Sequence, residues 1–377
     1  MKSLLAKHEG PDVLAVAGTP PRGEDAPRPL APARWDWREV RRVLVVRLRS
    51  IGDTVLATAS LDALRRFLPG AQIDVLLESW VAPVLEGFDA VDNVITVERG
   101  STRSRAGVAR RLRSARYDVA YNLHGGTTAT LLTRATGARH RVGYASYQYS
   151  RLYNHAAPPS SELWGSEKTH SAEQQLALLG WTGVPVSDRP RTRLVVTERA
   201  KATVGQKLRE AGVDGASPLA LMHPAAAFET KRWAAANFAR VAEDLASRGF
   251  QLVATAAPDE WQVISELTEE SSARVTAFTD LSLPEVTALA ARSRLFVGND
   301  SGIAHIAAAV RVPSVVVFGS SNVAHWRPWA AAPSEVVREE LPCQPCPGYT
   351  CAEFDAPECI RRVPVERVLA AIQRVLE

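Results

Sequence analysis

Three short segments carry side chains suited to handling a phosphate and a proton. In SIGDT, Ser50 to Thr54, the carboxylate Asp53 follows a glycine just past an apolar run, RRVLVV. In HPAAAFETKRW, His223 to Trp233, Lys231 sits in a stretch that leads from one apolar run towards the next amphipathic one. In GNDSGIAH, Gly298 to His305, Asp300 and Ser301 stand where a helix begins, and Gly302 lets the backbone approach a ligand. Free N–H groups at such a turn suit a diphosphate. A lysine neutralises phosphate as a point charge, and a carboxylate facing both across a cleft is a candidate general base. Each has a plainer alternative: Asp53, Asp300 or Ser301 as a helix cap, Lys231 as a solvated surface cation, His305 as a packed helix residue. For Asp53 three roles stand open: a cap, a neighbour of a phosphate loop, or a base. No GxGxxG follows the first strand and no GxxxxGK[ST] occurs, which argues against a nicotinamide dehydrogenase or a P-loop NTPase.

The elements that must position these residues read as two α/β series. From Arg41 onward, VLVVRL, IDVLLE, VDNVITVE and DVAYNL read as strands. Between them lie TVLATASLDALRRFLP, stopped by Pro69-Gly70, the helix-like WVAPVLEGF, and a very basic helix, RSRAGVARRLRSARY. A second series follows a Pro-rich segment around Val184 to Arg193: the strands PLALMH, FQLVATAA, ARVTAF, LFVGN and, last, PSVVVFG alternate with amphipathic stretches. VERVLAAIQRVLE closes the chain as an amphipathic helix. This rhythm implies an α/β protein of two doubly wound, Rossmann-like domains with a cleft between them. The expected division is an arm at 1–40, disordered or loosely docked, a first domain at 41–190, a second at 191–361, and the closing helix at 362–377. The three motifs then lie beyond the carboxyl ends of strands, where ligands bind in such sheets.

Bulk properties bound the class. The 377 residues are enough for two ordinary domains. With 46% hydrophobic and 23% charged residues the chain has a soluble globular composition, and its net charge of +4 makes any basic surface local. No run approaches the roughly 18 apolar residues of a membrane span. Glu9 and Asp12 interrupt the N-terminal apolar stretches, which argues against a signal peptide and for a cytosolic protein.

Taken in order, SxGD after the first strand, HP…KRW opening the second series, and DSGxxHxAA followed by PxVxxFG resemble glycosyltransferase family 9, the ADP-heptose:lipopolysaccharide heptosyltransferases and their relatives. The resemblance runs from about Arg41 to the C-terminus. It implies a GT-B fold and inverting transfer without a catalytic metal or other catalytic cofactor, from a nucleotide-sugar donor held mainly by the second domain. By that resemblance Asp53 is the base, Lys231 the phosphate-binding lysine, and Asp300, Ser301, Gly302 and His305 the donor-site motif. His223 and, by a looser match, Glu260 in APDEW join the donor set, with Glu260 near the ribose. Two departures stand out: HPGA reads His223-Pro224-Ala225-Ala226, and the glycine before the acidic residue is Ala256. Added methyl groups narrow the backbone's approach to a ligand, so base or sugar preference is less fixed than reaction class.

On the acceptor side, Ser50 and Gly52 flank the base, and His124 in LHGG lies at another strand end. Arg110 and Arg113 belong to a dense arginine series from Arg103 to Arg141. Scattered arginines usually form a solvated face; their density here suggests an anionic acceptor, such as an acidic inner-core glycolipid at the inner membrane surface, ahead of nonspecific nucleic acid. Tyr144, Tyr147, Tyr149 and Tyr153 either stack on sugars or pack. All four cysteines, Cys343, Cys346, Cys351 and Cys359, fall in one segment spaced C-x₂-C-x₄-C-x₇-C. That pattern suggests a structural zinc or iron site, with reduced thiols or a local disulfide as alternatives. The expected function is heptosyl transfer from ADP-heptose to a lipopolysaccharide inner core. The alternatives are a different nucleotide sugar, a protein acceptor, or a non-catalytic sugar-nucleotide-binding protein.

Overall fold

A computed structural model describes residues 26–346 and 349–377. The first sheet contains β1 (Arg42–Val46), β2 (Gln72–Glu78), β3 (Asn93–Val97), β4 (Val119–Asn122), β5 (His140–Tyr144) and β6 (His155–Ala157). The second contains β7 (Leu219–His223), β8 (Gln251–Thr255), β9 (Val275–Phe278), β10 (Leu295–Asn299), β11 (Ser314–Phe318) and β12 (Ser334–Arg338). Every pairing is parallel. The spatial orders are β3-β2-β1-β4-β5-β6 and β12-β11-β10-β7-β8-β9. Counted from each sheet's own first strand, the two orders are the same. The central strands RVLVV, LALMH, LFVGN and SVVVF are buried almost throughout, as continuous apolar runs covered on both faces must be. Each sheet therefore has one topological switch point, between β1 and β4 and between β7 and β10, where a crevice opens beyond the strand ends.

The first unit carries α1 (Ile51–Phe67), α2 (Thr102–Ser114), α3 (Thr127–Ala135), α4 (Ser160–Trp164) and α5 (Ser171–Gly180). Then come α6 (Glu198–Glu210), α7 (Ala235–Ser247), α8 (Trp261–Glu270), α9 (Leu283–Arg292), α10 (Gly302–Ala309), α11 (Val323–Trp326), α12 (Glu358–Arg361) and α13 (Val365–Leu376). The closing helix α13 packs on α7, β11 and β12. α1 packs on α5 and, across the cleft, on α10. One apolar cluster runs from Val43 and Val45 through Val55 and Leu61 of α1 and Ile306 of α10 to Leu221 and Phe296 of the second sheet. The two units share a core instead of merely facing each other.

Several elements differ from expectation. WVAPVLEGF yields only a short 3-10 turn, Ala82–Leu85, because the chain leaves helical geometry at Glu86 and turns left-handed at Gly87, φ 73°. PSVVVFG is not the last strand: β12, with the polar sequence SEVVR, adds an edge that apolar patterning does not mark. Strand β6 is a short edge addition of the same kind, and β5 beside it opens with the polar His140 and Arg141.

Of the arm, residues 1–25 lie outside the described residues, and 26–40 dock along the first unit with Trp37 and Val40 buried and Leu30, Ala31 and Trp35 half-buried. The Leu30 and Ala31 amides donate to the Gly180 carbonyl at 3.0 and 3.2 Å. The buried Trp37 indole donates to the Thr182 carbonyl at 3.0 Å. Arg28 accepts from the Val186 and Ser187 amides, each at 3.0 Å, so this strap also braces the start of the crossover to the second unit. The other end of the crossover is bound to the second unit: the Trp329 indole donates to the Pro190 carbonyl at 2.9 Å, and the Leu194 amide to the Ala309 carbonyl at 3.3 Å. Removing Trp37 empties a core volume and a buried hydrogen bond together. Trp37→Ala is expected to cost about 3 kcal/mol or more, read as a lowered unfolding midpoint in denaturant; a change within error would show that the strap adds nothing to the fold.

Candidate active site

A cavity of about 830 Å³ lies where the two switch points face each other. Ser50, Gly52 and Asp53 line it from the first unit, and His223, Lys231, Glu260, Asp300, Ser301, Gly302 and His305 from the second. Its two walls meet at the N-termini of α1 and α10, and the fit there leaves no room for a side chain. A Cβ on Gly52 would stand 2.6 Å from His305 Cδ2, and one on Gly302 would stand 2.7 Å from Ile51 Cβ. Both glycines are thus set by close approach of the two units.

On the first wall, Asp53 both caps α1 and faces the cavity. Its Oδ2 accepts from the Ser50 amide at 3.3 Å and from the Ser50 hydroxyl at 3.2 Å. The other oxygen is ion-paired with Arg47, a buried guanidinium at the end of β1. Arg47 also donates to the Leu123 carbonyl at 3.1 Å and meets His124 Nδ1 at 3.1 Å. Burial, followed by the charge of Arg47, pushes His124 down to about 4, so the imidazole is a neutral acceptor for Arg47. Arginine, aspartate and the β4 end form one fixed unit. Loss of either charge would leave the other uncompensated in a largely dry site, which typically costs about 3–5 kcal/mol.

On the second wall, Lys231 Nζ pairs with Asp300 Oδ2 at 2.8 Å, and the Ser321 hydroxyl donates to the same oxygen at 2.5 Å. Asp300 holds the lysine over the start of α10. Ser301 Oγ at that N-cap is enclosed and has no partner among the described residues. The neighbouring Asn299 locks β10 to the loop after β7: its amide donates to the Pro224 carbonyl at 2.7 Å and its oxygen accepts from the Trp233 amide at 3.2 Å. His223 gives its Nδ1 proton to the Thr255 carbonyl at 2.7 Å, and Glu260 accepts from the Ala257 amide at 3.0 Å. His305 is buried and driven towards the neutral form, with Asp300 and Asp53 acting in the opposite sense. Its Nδ1 lacks a partner among the described residues. Of the two positions where glycine was expected, Ala256 lines the cavity, whereas Ala225 is fully buried in the core of the second unit behind it.

Three expected groups are not brought there. His124 stands behind Asp53, against Arg47, and does not line the cavity. Arg110 and Arg113 are exposed on the second half of α2, whose Val108 and Leu112 turn inward. In a strand–helix–strand crossover that part of the helix runs away from the strand ends bearing the site. The four cysteines are free thiols, and among the described residues no group of three or more His, Cys, Asp or Glu could hold a metal. Cys343, Cys346 and Cys351 lie on a half-exposed loop, whereas Cys359 is buried on α12. Tyr144 and Tyr153 pack internally, with the Tyr153 hydroxyl 2.7 Å from both Asn122 and Thr130.

Other lining residues had no sequence signal. Trp80 reaches the cavity from a turn and Trp326 from the end of α11, and Tyr349 meets Phe228 at 4.4 Å between ring centroids. Arg47 did have one: a charge ending an otherwise apolar strand, six residues before the carboxylate it holds.

Known proteins match this arrangement. The sequence model of glycosyltransferase family 9 (heptosyltransferase) matches residues 105–356. The chain belongs to glycosyltransferase family 9. Lipopolysaccharide heptosyltransferase 3 of Escherichia coli is 28% identical over 301 residues, covering 75% of this chain and 85% of that protein. A family 9 glycosyl transferase from Veillonella parvula superposes with a TM-score of 0.77 at 20% identity, covering 89% of this chain and 97% of the other. The ADP-heptose LPS heptosyltransferase II of E. coli does so with a TM-score of 0.73 at 23% identity, covering 89% and 98%. The fold of this family 9 glycosyltransferase is GT-B, two Rossmann-like units across a cleft.

The buried histidines give the enzyme an acid-sensitive seam. His170, the N-cap of α5, donates from Nε2 to the Arg327 carbonyl at 2.7 Å and accepts at Nδ1 from the Ala172 amide at 3.1 Å. Burial pushes it down to about 3 from 6.5. Because the unfolded chain binds this proton first, the stabilisation is complete above about pH 6.5 and is lost as pH falls towards 3. Melting temperature against pH should fall across that window. His170→Asn, which keeps a cap acceptor, should flatten the slope by up to about 1.4 kcal/mol per pH unit; an unchanged slope would exclude His170 as its source.

Proposed function

We propose that this glycosyltransferase transfers a heptose, with inversion and without a catalytic metal, from ADP-heptose to the inner core of a lipopolysaccharide acceptor. One observation carries the mechanism: Asp53 lines the same cavity as Lys231, Asp300 and the free N-terminus of α10, from the opposite wall. The sugar and acceptor follow the heptosyltransferases that the chain resembles. On this reading residues 41–190 form the acceptor half and 191–361 the donor half.

The acceptor hydroxyl gives its proton to Asp53 while its oxygen forms the new bond to the anomeric carbon. The bond from that carbon to the diphosphate oxygen breaks on the opposite face, and the electron pair leaves with the nucleoside diphosphate. Lys231 and the α10 amides take up the developing charge, with Ser301 Oγ free to donate to a phosphate oxygen. Attack and departure from opposing walls give inversion. Arg47 orients the Asp53 carboxylate, and Asp300 fixes Lys231. Glu260 is set to reach the ribose. Ala256 adds a methyl group to the nucleotide side of the cavity, which favours a narrower donor range than a glycine would. No helix of the described residues is long and apolar enough to cross a membrane; work at the inner face of the cytoplasmic membrane fits a glycolipid acceptor.

Asp53→Asn retains shape and removes the base. Turnover should fall about 10²- to 10⁴-fold with ADP-heptose affinity retained in calorimetry, and wild-type turnover in the variant would remove Asp53 from the role. Lys231→Ala should instead weaken donor binding, by about tenfold or more.

The cysteine segment supplies four thiols, donors suited to zinc or iron, but among the described residues no three of them converge on one point, so a structural metal would have to draw the loop in towards Cys359. Elemental analysis of protein purified under reducing conditions should find about one zinc or iron per chain, with a lower melting temperature after chelation. Metal-free protein with four titratable thiols would refute this.

A further inference from the structure

A second cavity, of about 710 Å³, lies beside the first on the far side of the segment from Ser321 to Arg327. Ser321 is common to both sites, lining this cavity and bonding Asp300 of the other. Trp326, which lines the first cavity, directly precedes Arg327, which lines the second. Its walls hold five cations, Lys168, Arg189, Arg191, Arg327 and Arg338, against the single carboxylate Glu173. That excess equals the net charge of the entire chain, +4, gathered into one concavity drawn from both units. Glu173 is engaged with Arg189 at 3.2 Å, and Arg338 is paired with Glu340 outside the lining. Lys168, Arg191 and Arg327 have no carboxylate partner among the described residues. Arg191 is held flat on Trp329, 4.2 Å from its ring centroid, and Trp329 in turn stacks on His170 at 4.6 Å. Like charges gathered in a cleft are unfavourable until an anion neutralises them, and planar guanidinium groups match phosphoryl oxygens with two parallel hydrogen bonds.

We propose that this basic cavity binds a phosphoryl group carried on the acceptor saccharide, anchoring it one wall away from Asp53. This rests on the glycosyl-transfer reading for the identity of the ligand's carrier, but not for the existence of the site. It also supplies the anion-binding role that Arg110 and Arg113 do not fill.

The test has two arms. In the first, inorganic pyrophosphate is titrated calorimetrically into full-length protein saturated with ADP, so that the donor cleft is blocked. Wild type should bind, more weakly as salt rises, and Arg191→Ala/Arg327→Ala should weaken binding about tenfold or more with ADP affinity unchanged. If the double variant does not fold, Lys168→Ala and Arg327→Gln serve singly. No binding once ADP is present, or equal binding by the variants, overturns the site. In the second arm, KM is measured for a core oligosaccharide before and after phosphatase treatment. The variants should raise KM for the phosphorylated form about tenfold and leave the treated form at its wild-type value. Pyrophosphate binding without that KM difference would assign the cavity to a free phosphate compound and overturn the acceptor role. A wild type that turns over neither oligosaccharide would defeat the glycosyl-transfer reading alone, leaving the first arm to decide the cavity.

Discussion

The arrangement of this enzyme depends on one steric constraint, the contact between the N-termini of α1 and α10. Gly52 lies under His305 and Gly302 lies under Ile51, so each helix start is seated in the other. Two sheets of identical strand order place their switch points on either side of this contact. The positive ends of two helix dipoles approach there, which is tolerable because Asp53 caps one and Asp300 borders the other. On the proposed mechanism, the carboxylates that the chemistry uses are the same groups that make the contact electrostatically acceptable.

That double use resolves the question raised by SIGDT. Capping and catalysis are not competing explanations of Asp53. The cap fixes one oxygen on the Ser50 amide and hydroxyl, Arg47 fixes the other, and the carboxylate edge that remains borders the cavity. Lys231 is treated in the same way on the opposite wall, pinned by Asp300, which is itself pinned by Ser321. Preorganisation of this sort spares the enzyme from orienting flexible side chains at each turnover.

The central strands and the motif-bearing turns were legible in the sequence because burial on both faces forces unbroken β-branched runs, and ligand turns then follow at their ends. The edge strands β6 and β12, and β5 beside β6, were not, since short polar strands at the margin of a sheet need no such run. His124 lies off the cavity for a related reason: a strand-end position says which rim a residue occupies but not whether it faces the ligand or the adjoining guanidinium. The arginines of α2 show the limit of counting charge, because density along a helix does not reveal which end of the sheet it approaches. Lys168, Arg189, Arg191, Arg327 and Arg338 are dispersed over 170 positions of sequence. Only the fold makes them neighbours.

The crossover between the units has a mechanical consequence. Its residues Val186 and Ser187 are tied to the strap, and Asp188 to Arg66 at 2.6 Å, all within the first unit. From Pro190 onward the bonds run to both units: the Pro190 carbonyl and Thr192 to Trp329, the Leu194 amide to Ala309, and the Arg193 guanidinium back to Asp62 and Asp89. Arg189, a non-glycine residue held at φ 46°, turns the chain just before these bonds. The crossover is thereby a clamp on both units rather than a flexible tether. Because Arg189 is also bonded to Glu173, part of that clamp's stiffness is set by a side chain that solvent and solutes can reach.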